Sequence, residues 1–265
     1  MTPRSKQGQE FSWLGSALLT TGMALFTGRA GDNQLHRHYA VQLAFSGSRP
    51  VALTGADGRQ FAGGIVSCAA GVTHRLEPTD EAIILAYLEP TSTIGAAAQR
   101  MLGSISIVAP LPNDALVREL RNAIAEGASE KAESLLNRLF GNVQPVVGQK
   151  SDPRVAALVH SSEFRGVPPP LAQAAQRIGL SPSRLSHLFA DEMGIAYRAF
   201  AKWRKLLATL DAVSCGADLT QAAHEGGFAD SAHFSRTFKD TFGLTPSNAL
   251  FRIQLSHQSA KITAR

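Results

Sequence analysis

The sequence predicts an α+β protein with two domains, a sheet-rich domain over residues 1–145 and an all-α domain of about seven helices over residues 150–265. Short apolar segments separated by turn-forming residues fill the first part and are typical of strands. In the second part, one helix-turn-helix pattern occurs twice, about 48 residues apart. A chain of 265 residues, 44% of them hydrophobic, is long enough to bury two modest cores. The composition therefore agrees with this division.

The N-terminal strands are predicted from runs of apolar and β-branched residues between turns. These runs cover residues 23–26, 39–45, 51–53, 64–68 and 82–87. The intervening Ser-Gly-Ser-Arg-Pro and Gly-Ala-Asp-Gly stretches have the composition of hairpin turns. Residues 11–28 carry no charge, but Ser, Thr and Gly interrupt them too often for a membrane segment or a good signal peptide. We therefore expect strands there too, and no membrane partner.

A helical hairpin is predicted at the end of the sheet domain, because the hydrophobic period changes from two to 3.6 after Pro112. Asn113 or Asp114 should cap the first helix. Ser129 should cap the second helix, which Gly141 ends.

The all-α domain should begin after a linker over residues 142–151, with Asp152 and Pro153 opening its first helix. Between the two copies of the repeat, a helix over residues 197–213 carries an apolar face and a basic face. A helix of that length spans roughly 24 Å. Together with the radii of the helical bundles at its two ends, it can place the two copies about one turn of DNA apart, near 34 Å.

The two copies of the repeat share the features that a tight turn between two crossing helices requires. A small pair lets the helices approach, a glycine supplies a positive φ in the turn, a capping side chain opens the second helix and a glycine closes it. In order, these are Ala174 and Ala175, Gly179, Ser181 and Gly194 in the first copy, and Ala222 and Ala223, Gly227, Asp230 and Gly243 in the second. The turn glycines of the two copies are 48 residues apart and the closing glycines are 49 residues apart. The turn of the second copy is therefore one residue longer than that of the first.

The second helix of each copy, near residues 182–191 and 231–241, has an outward face almost free of apolar residues. Helices of this size fit the major groove of B-DNA, where Arg pairs with guanine and Ser reaches several base edges. The candidate DNA-contacting residues on these helices and on the basic face of the intervening helix are Ser183, Arg184, Ser186, His187, Arg198, Lys202, Lys205, Ala232, Ser235, Arg236 and Lys239. The alternative is that these are only solvated faces of a helical domain; two copies with matched caps favour DNA.

Charge and cysteine content agree with that interpretation. Residues 150–265 hold 14 Lys and Arg against 9 Asp and Glu, whereas residues 1–149 hold 12 of each, so the excess lies beside the repeat and favours a polyanionic partner. Cys68 and Cys215 would lie in different domains and form neither a disulfide framework nor a zinc site. This usage is typical of a reducing compartment, and we expect a cytoplasmic protein.

The C-terminal strings LAQAAQRIGLSPSRLSHLFADEMG and GGFADSAHFSRTFKDTFGLTPS resemble the DNA-binding domain of the AraC/XylS family of bacterial transcription regulators. The chain departs from the family pattern at Ala222, His187 and Leu250, which concerns base preference rather than DNA binding. The resemblance implies double-stranded DNA as partner, a regulator without enzymatic activity, and a small-molecule effector, RNA polymerase and a second subunit as candidate partners. It also implies that the helical hairpin pairs two subunits. The competing interpretation is that the apolar stripe of the hairpin only covers the sheet domain.

The N-terminal stretch Gly-Asp-Asn-Gln-Leu-His36-Arg-His38, followed by Gln42 and by Ala-Ala-Gly-Val-Thr-His74, resembles the two half-motifs of a cupin barrel. A metal-binding cupin offers a carboxylate where this chain has Gln42, and an amide is a poorer ligand. We therefore expect hydrogen-bonded barrel histidines and no cofactor, with His36, His38 and His74 as minor metal candidates. The main prediction is a transcription regulator with a cupin-like sensing and dimerisation barrel. The alternative is a cupin metalloenzyme with an accessory DNA-binding domain.

Overall fold

A computed structural model describes residues 11–20, 22–102, 105–109, 114–140, 152–161 and 166–257. Its strands are β1 Leu14–Thr20, β2 Met23–Arg29, β3 Val41–Phe45, β4 Val51–Gly55, β5 Gln60–Gly63, β6 Ile65–Cys68, β7 His74–Leu76, β8 Ala82–Leu88, β9 Ile105–Ala109 and β10 Ile253–His257. Its helices are α1 Thr93–Met101, α2 Asp114–Ala125, α3 Ser129–Leu139, α4 Pro153–His160, α5 Leu171–Arg177, α6 Pro182–Met193, α7 Tyr197–Ser214, α8 Leu219–Glu225, α9 Ser231–Phe242 and α10 Pro246–Leu250. The predicted arrangement of a sheet-rich part followed by a helical part is confirmed.

The strands form two sheets, one in the order β10-β1-β2-β8-β3-β6-β9 and a smaller one in the order β5-β4-β7. The predicted barrel is not closed. The reason lies at the edge of the larger sheet, where the C-terminal strand β10 pairs in parallel with β1, from Gly15 opposite Ile253 to Leu19 opposite His257. Because β10 uses the free edge of β1, that edge cannot close onto the smaller sheet.

The predicted helical hairpin is present as α2 and α3, and its apolar stripe is buried against the larger sheet. Leu120, Ile124 and Leu136 are at most 1% exposed and belong to one core with the strands. This burial supports the interpretation that the hairpin covers the sheet. The Ser129 cap is wrong: Ser129 is the first helical residue, and Ala128 stands at the cap without a side-chain hydrogen bond. The predicted Asn113 cap, the Gly141 terminus and the linker over 142–151 lie outside the described residues.

The part of the chain after residue 152 folds into α4 to α10, seven helices within the described ranges, in agreement with the predicted number. Asp152 caps α4 by accepting a hydrogen bond from the Arg154 amide, with Pro153 in the first turn. The longest helix is α7, whose 18 residues span roughly 27 Å. No helix in the described ranges is both long and apolar enough to cross a bilayer.

The two parts share one hydrophobic core. Phe26 and Leu85 of the sheet cluster with Leu206, Phe234 and Phe238 of the helices, and all five side chains are at most 5% exposed. Within the sheet part, a separate close contact depends on Gly95 in α1. A side chain at that position would collide with the backbone carbonyl of Glu89, so only glycine lets α1 lie directly on the end of β8.

A buried ion pair crosses the same boundary. The carboxylate of Glu89, just after β8, accepts hydrogen bonds from Nη1 of Arg204 at 2.9 and 3.2 Å and from Nε1 of Trp203 at 3.2 Å. Glu89 is 2% exposed and Arg204 is 6% exposed. Removing one partner of such a pair leaves the other charge buried without compensation, whereas replacing both with apolar groups is often nearly neutral.

We predict that Glu89→Gln lowers the free energy of unfolding by about 3–5 kcal/mol, because Arg204 then stays buried without its counter-ion. Adding Arg204→Met should recover much of this loss, as measured by urea denaturation. The control is Asp80→Asn, which breaks the exposed pair between Arg49 and Asp80 and should change stability little. Additive losses from Glu89→Gln and Arg204→Met would contradict the coupling.

Candidate nucleic-acid interface and histidine cluster

The two recognition helices, α6 and α9, are built by the same local signals. Oγ of Ser181 accepts a hydrogen bond from the Arg184 amide at 3.2 Å, and the Asp230 carboxylate accepts one from the His233 amide at 2.6 Å. Their closing glycines, Gly194 and Gly243, have φ values of 71° and 74°, as the predicted left-handed caps require. The turn glycines Gly179 and Gly227 are also left-handed, at 66° and 76°. The predicted helix-turn-helix geometry is therefore present twice.

Each recognition helix buries one face and exposes the other. Leu185 and Phe189 of α6 and Phe234 of α9 are fully buried. The predicted contact residues on these two helices are exposed or half-buried, namely Ser183, Arg184, Ser186, His187, Ala232, Ser235, Arg236 and Lys239. The structure thus places them on two solvent-facing helix surfaces, where they would be accessible to DNA.

Arg236 projects from the exposed face of α9. The acids that could pair with its guanidinium are Asp240, one turn along α9, and Glu225, at the end of α8. Within the described ranges, Arg236 forms no ion pair with either, and Glu225 accepts a hydrogen bond from Nε2 of Gln221 at 2.8 Å instead. The guanidinium remains available to a partner outside the chain.

The basic side chains of α7 divide into three kinds. Arg198 and Lys202 are exposed. Lys205 is half-buried: its ammonium donates a hydrogen bond to the carbonyl of Gly227 at 2.7 Å and lies 5.9 Å from the centre of the Phe228 ring. Arg204 is buried, and its guanidinium forms an ion pair with the carboxylate of Glu89, a role that was not predicted from the sequence. The available signal was its position, because Arg204 lies on the apolar stripe of α7 next to Trp203.

The three N-terminal histidines meet in a buried cluster. His36, His38 and His74 are at most 7% exposed, and their potential ligand atoms lie within 4.8 Å of one another. A backbone bridge between β7 and the segment before β3 brings them together, since the amides and carbonyls of His36 and His74 exchange hydrogen bonds of 2.9 Å. Oε1 of Gln42, on β3, lies 3.0 Å from Nε2 of His38 and 3.2 Å from Nε2 of His74.

Burial keeps the cluster uncharged. Loss of solvent lowers the pKa of His38 to about 4, and the neighbouring His36 lowers it further in the same direction. Burial also lowers the pKa of His36 and holds that of His74 well below its ordinary value. The Cys68 thiol lies 3.2 Å from Nδ1 of His74, and burial raises its pKa to about 12. At neutral pH the cluster therefore contains three neutral imidazoles and a neutral thiol.

The cluster also touches the helical part. Gly243, the cap of α9, accepts a hydrogen bond from the Gln34 amide at 2.8 Å. A side chain at position 243 would come within 2.8 Å of Nδ1 of His36, so the glycine is needed for this contact as well as for its φ. The His38 ring lies 6.2 Å from that of Trp203 on α7, centre to centre.

A largely apolar cavity of about 100 Å³ adjoins the cluster, between the larger sheet and the helices. Its apolar wall includes Trp13 and Leu19 from the sheet and Leu207 and Phe238 from the helices. Asn33, His36, Gln42 and Tyr87 supply the polar atoms of the wall. The cavity is therefore suited to a small apolar molecule with one polar end.

Comparisons with known proteins agree with the geometry of the helical part. A family described as a helix-turn-helix domain matches residues 174–251. The arabinose operon regulatory protein of Salmonella typhimurium is 36% identical over 78 residues, which are 29% of this chain and 28% of that protein. The virulence regulon transcriptional activator VirF of Yersinia enterocolitica is 26% identical over 112 residues, which are 42% and 41% of the two chains. The chain thus matches less than half the length of these relatives.

The fold as a whole is similar to that of ToxT from Vibrio cholerae, solved with bound (E)-4-(8-methylnaphthalen-1-yl)but-3-enoic acid. The TM-score is 0.56 at 15% identity, and the similarity covers 87% of this chain and 99% of ToxT. The matched 174–251 segment contains both recognition helices with their caps. Residues 174–251 are thus similar to a helix-turn-helix domain and to part of the arabinose operon regulatory proteins of Salmonella typhimurium and Escherichia coli.

Proposed function

We propose that this protein is a sequence-specific DNA-binding transcription regulator that reads two adjacent major-groove segments with α6 and α9. The observation that carries the proposal is the pair of capped helices with buried apolar faces and exposed polar faces. Two such helices joined by a rigid α7 fit successive turns of a duplex. The alternative, a cupin metalloenzyme, has less support, because the relatives described above are named as regulators.

The N-terminal part is proposed to be a cupin-like sensing unit, with domain limits of 1–145 and 150–265. Its cavity would hold the effector, and the acidic ligand of the similarly folded ToxT supports an apolar molecule with a polar end. A second subunit and RNA polymerase remain proposed partners. A cytoplasmic location follows from the proposed role on DNA.

Arg236 is predicted to read base sequence. Its guanidinium can grip O6 and N7 of one guanine, so Arg236→Ala should cost about 1–3 kcal/mol on the preferred site and relax selection at one or two base pairs. Lys239→Ala is the matched control, since a phosphate contact carries no sequence information and its loss should weaken all sites nearly equally. Selection from a randomised DNA pool measures both. An Arg236→Ala protein with unchanged base preference and a lower melting temperature would sink the base-reading role.

Lys202 and Lys205, one turn apart on α7, are predicted to differ in what they do. Lys202→Met should reduce the slope of log K against log salt by about 0.9, the contribution of one phosphate contact, without changing the melting temperature. Lys205→Met should lower the stability by about 1 kcal/mol, because the Gly227 carbonyl loses its ammonium donor. Salt titrations of DNA binding and thermal melts separate the two. Equal melting temperatures for both variants would show that Lys205 does not hold the turn.

The cavity is predicted to bind a small apolar acid. Saturating butanoic acid should raise the melting temperature, because a ligand of the folded state alone stabilises it. Ala24→Phe, which places a ring in the cavity from β2, should abolish the shift. The control is Ala232→Phe on the exposed face of α9, which should leave the shift intact. A shift that survives in Ala24→Phe would locate the ligand elsewhere.

A further inference from the structure

The C-terminal strand β10 forms one edge of the larger sheet. Its inner side pairs with β1, and no strand of the described residues lies on its outer side. Natural proteins protect such edges with Lys, Pro, inward charges or bulges, because unpaired amides and carbonyls attract another strand. The five residues Ile253–His257 contain no Lys, Pro, Asp or Glu, and their pairing with β1 advances one residue at a time. Unlike β9 at the opposite edge, whose pairing with β6 has a register shift, β10 therefore lacks this protection.

The outward backbone groups of β10 follow from its register with β1. The amide of Gly15 donates a hydrogen bond to the carbonyl of Arg252 at 3.2 Å, and Gly15 lies opposite Ile253. In a parallel pair, the residues of a strand alternate between facing the neighbour and facing away from it. Gln254 and Ser256 therefore also direct their backbone groups at β1. The residues whose amides and carbonyls point away from β1 are Ile253, Leu255 and His257.

A second copy of β10 fits these outward groups in one register. When two copies run antiparallel with Leu255 opposite its own counterpart, Ile253 of one copy lies opposite His257 of the other. Each outward amide then meets an outward carbonyl, as in the hydrogen-bonded pairs of an antiparallel ladder. A shift by one residue places outward groups opposite groups that already bond β1, and a shift by two leaves some outward groups unpaired. The favoured register has a two-fold axis, the commonest symmetry of homodimers.

The side chains of β10 also suit this pairing. Ile253 and Leu255 contribute to the cavity wall, yet both are only half-buried. In the paired arrangement the two Leu255 side chains lie next to each other across the axis, with their Cα atoms about 5.5 Å apart. The apolar layer that lines the cavity would thus continue from one copy into the other. Phe251, two residues before the strand, is 87% exposed and adds an apolar ring close to it in sequence.

The helical hairpin is less suited to hold a second subunit. Its apolar stripe is already buried against the sheet, and the exposed side chains in the described parts of α2 and α3 are polar, charged or alanine. The larger of them are Arg118, Asn122, Glu130, Lys131, Glu133, Ser134 and Arg138. Protein interfaces are depleted in charged residues at their centres. The outer face of the hairpin therefore favours water, which leaves the β10 edge as the stronger surface for a second subunit.

Residues 258–265 are the competing occupants of the edge, since they follow β10 directly. To pair with its outer side they must turn back at once. Two-residue hairpin turns depend on Gly, Asn or Asp, and the sequence after His257 reads Gln-Ser-Ala. A second copy of the strand needs no such turn.

We propose that β10 pairs with β10 of a second copy of this chain, antiparallel about Leu255, and that the two larger sheets thereby join into one. This pairing gives the second subunit of the proposed function a defined surface and rests on that part of the proposed function alone. Two strands of five residues bury less area than a standard interface, so the dimer should be reversible, with a dissociation constant on the order of micromolar.

Paired charge variants test the register. Gln254 of one copy lies opposite Ser256 of the other, so Gln254→Lys with Ser256→Lys places two lysines face to face on both sides of the axis. Its dimer dissociation constant should rise about tenfold, because like charges directly opposite are unfavourable. Gln254→Lys with Ser256→Glu is the matched control: it also loses the hydrogen bond from Ser256 to the Ala17 carbonyl, but it should dimerise at least as tightly as the parent. Sedimentation velocity over a protein concentration series measures both, with a thermal melt of each variant.

A full chain that stays monomeric throughout the series, or equal dissociation constants of the two double variants, would overturn the proposal. A chain ending at His257 should dimerise as the full chain does. If the shortened chain dimerises and the full chain does not, residues 258–265 occupy the edge and the proposal is wrong.

Cross-linking tests the axis without added charge, and it decides if the charged variants fail to fold. In a Cys215→Ser background, Leu255→Cys should form a disulfide-linked dimer on mild oxidation, since its thiol lies beside its own counterpart. Arg252→Cys is the matched control, because three residues on either side of the axis separate the two thiols by roughly 20 Å. Equal cross-linking at the two positions would contradict the register.

The pairing of β10 and the reading of DNA can fail separately. A monomeric chain that still selects a DNA site would overturn the pairing and leave the proposed reading by α6 and α9 intact. A dimeric chain that selects no DNA site would support the pairing and contradict the proposed reading.

Discussion

The buried contact between Glu89, Arg204 and Trp203 is the constraint on which the arrangement of the two parts depends. Two charges taken out of water gain little net stability from their attraction, because desolvation cancels most of it. They do, however, penalise every arrangement in which one charge stays buried without the other. Since Glu89 follows β8 and Arg204 lies in α7, this penalty selects a single docking of the helical part on the sheet.

Two backbone connections reinforce that docking, and both involve the second helix-turn-helix. The strand β10, which follows α10, completes the edge of the larger sheet, and the cap of α9 hydrogen-bonds to Gln34. The first helix-turn-helix has its own core around Phe189, Phe200 and Trp203, to which Tyr39 is the main aromatic contribution from the sheet part. The second helix-turn-helix is thus held more firmly to the N-terminal part than the first. An effector signal would reach α9 by a shorter path than α6.

Sequence reasoning succeeded where the determining interactions are local. The capping side chains Ser181 and Asp230, the left-handed glycines and the apolar faces of α6 and α9 each act within a few residues, so their effect can be recognised from spacing alone. The prediction that Ser129 caps α3 was wrong because the cap position and the first helical position are only one residue apart, and serine occurs at both. The limits of strands such as β3 were predicted to within about two residues, because the apolar run that marks a strand is also a local signal.

The interactions that sequence reasoning missed join residues far apart in the chain. The pairing of β1 with β10 links positions more than 230 residues apart, and the partner of Arg204 is 115 residues away. A short apolar strand at the end of a helical domain carries no sign of the edge that it will join. Likewise, His-x-His and a later histidine predict a cluster only if the barrel-like turn brings β7 beside the segment before β3. The orientation of each ring then depends on a carbonyl that no residue type reveals.

The cavity and the histidine cluster share a wall, and both lie at the boundary that the ion pair defines. A ligand changes the equilibrium between two arrangements only by as much as its affinities for them differ. A site within one domain offers the same contacts whether or not the domains are docked, and would shift nothing. Here His36 belongs both to the cavity wall and to the seat of Gly243, so a molecule bound in the proposed effector cavity would favour the docked arrangement. By linkage, DNA that prefers another placement of α9 would weaken the binding of such a molecule by the same factor by which the molecule weakens the binding of that DNA. The position of the cavity, more than its chemistry, is therefore what would suit it to regulation.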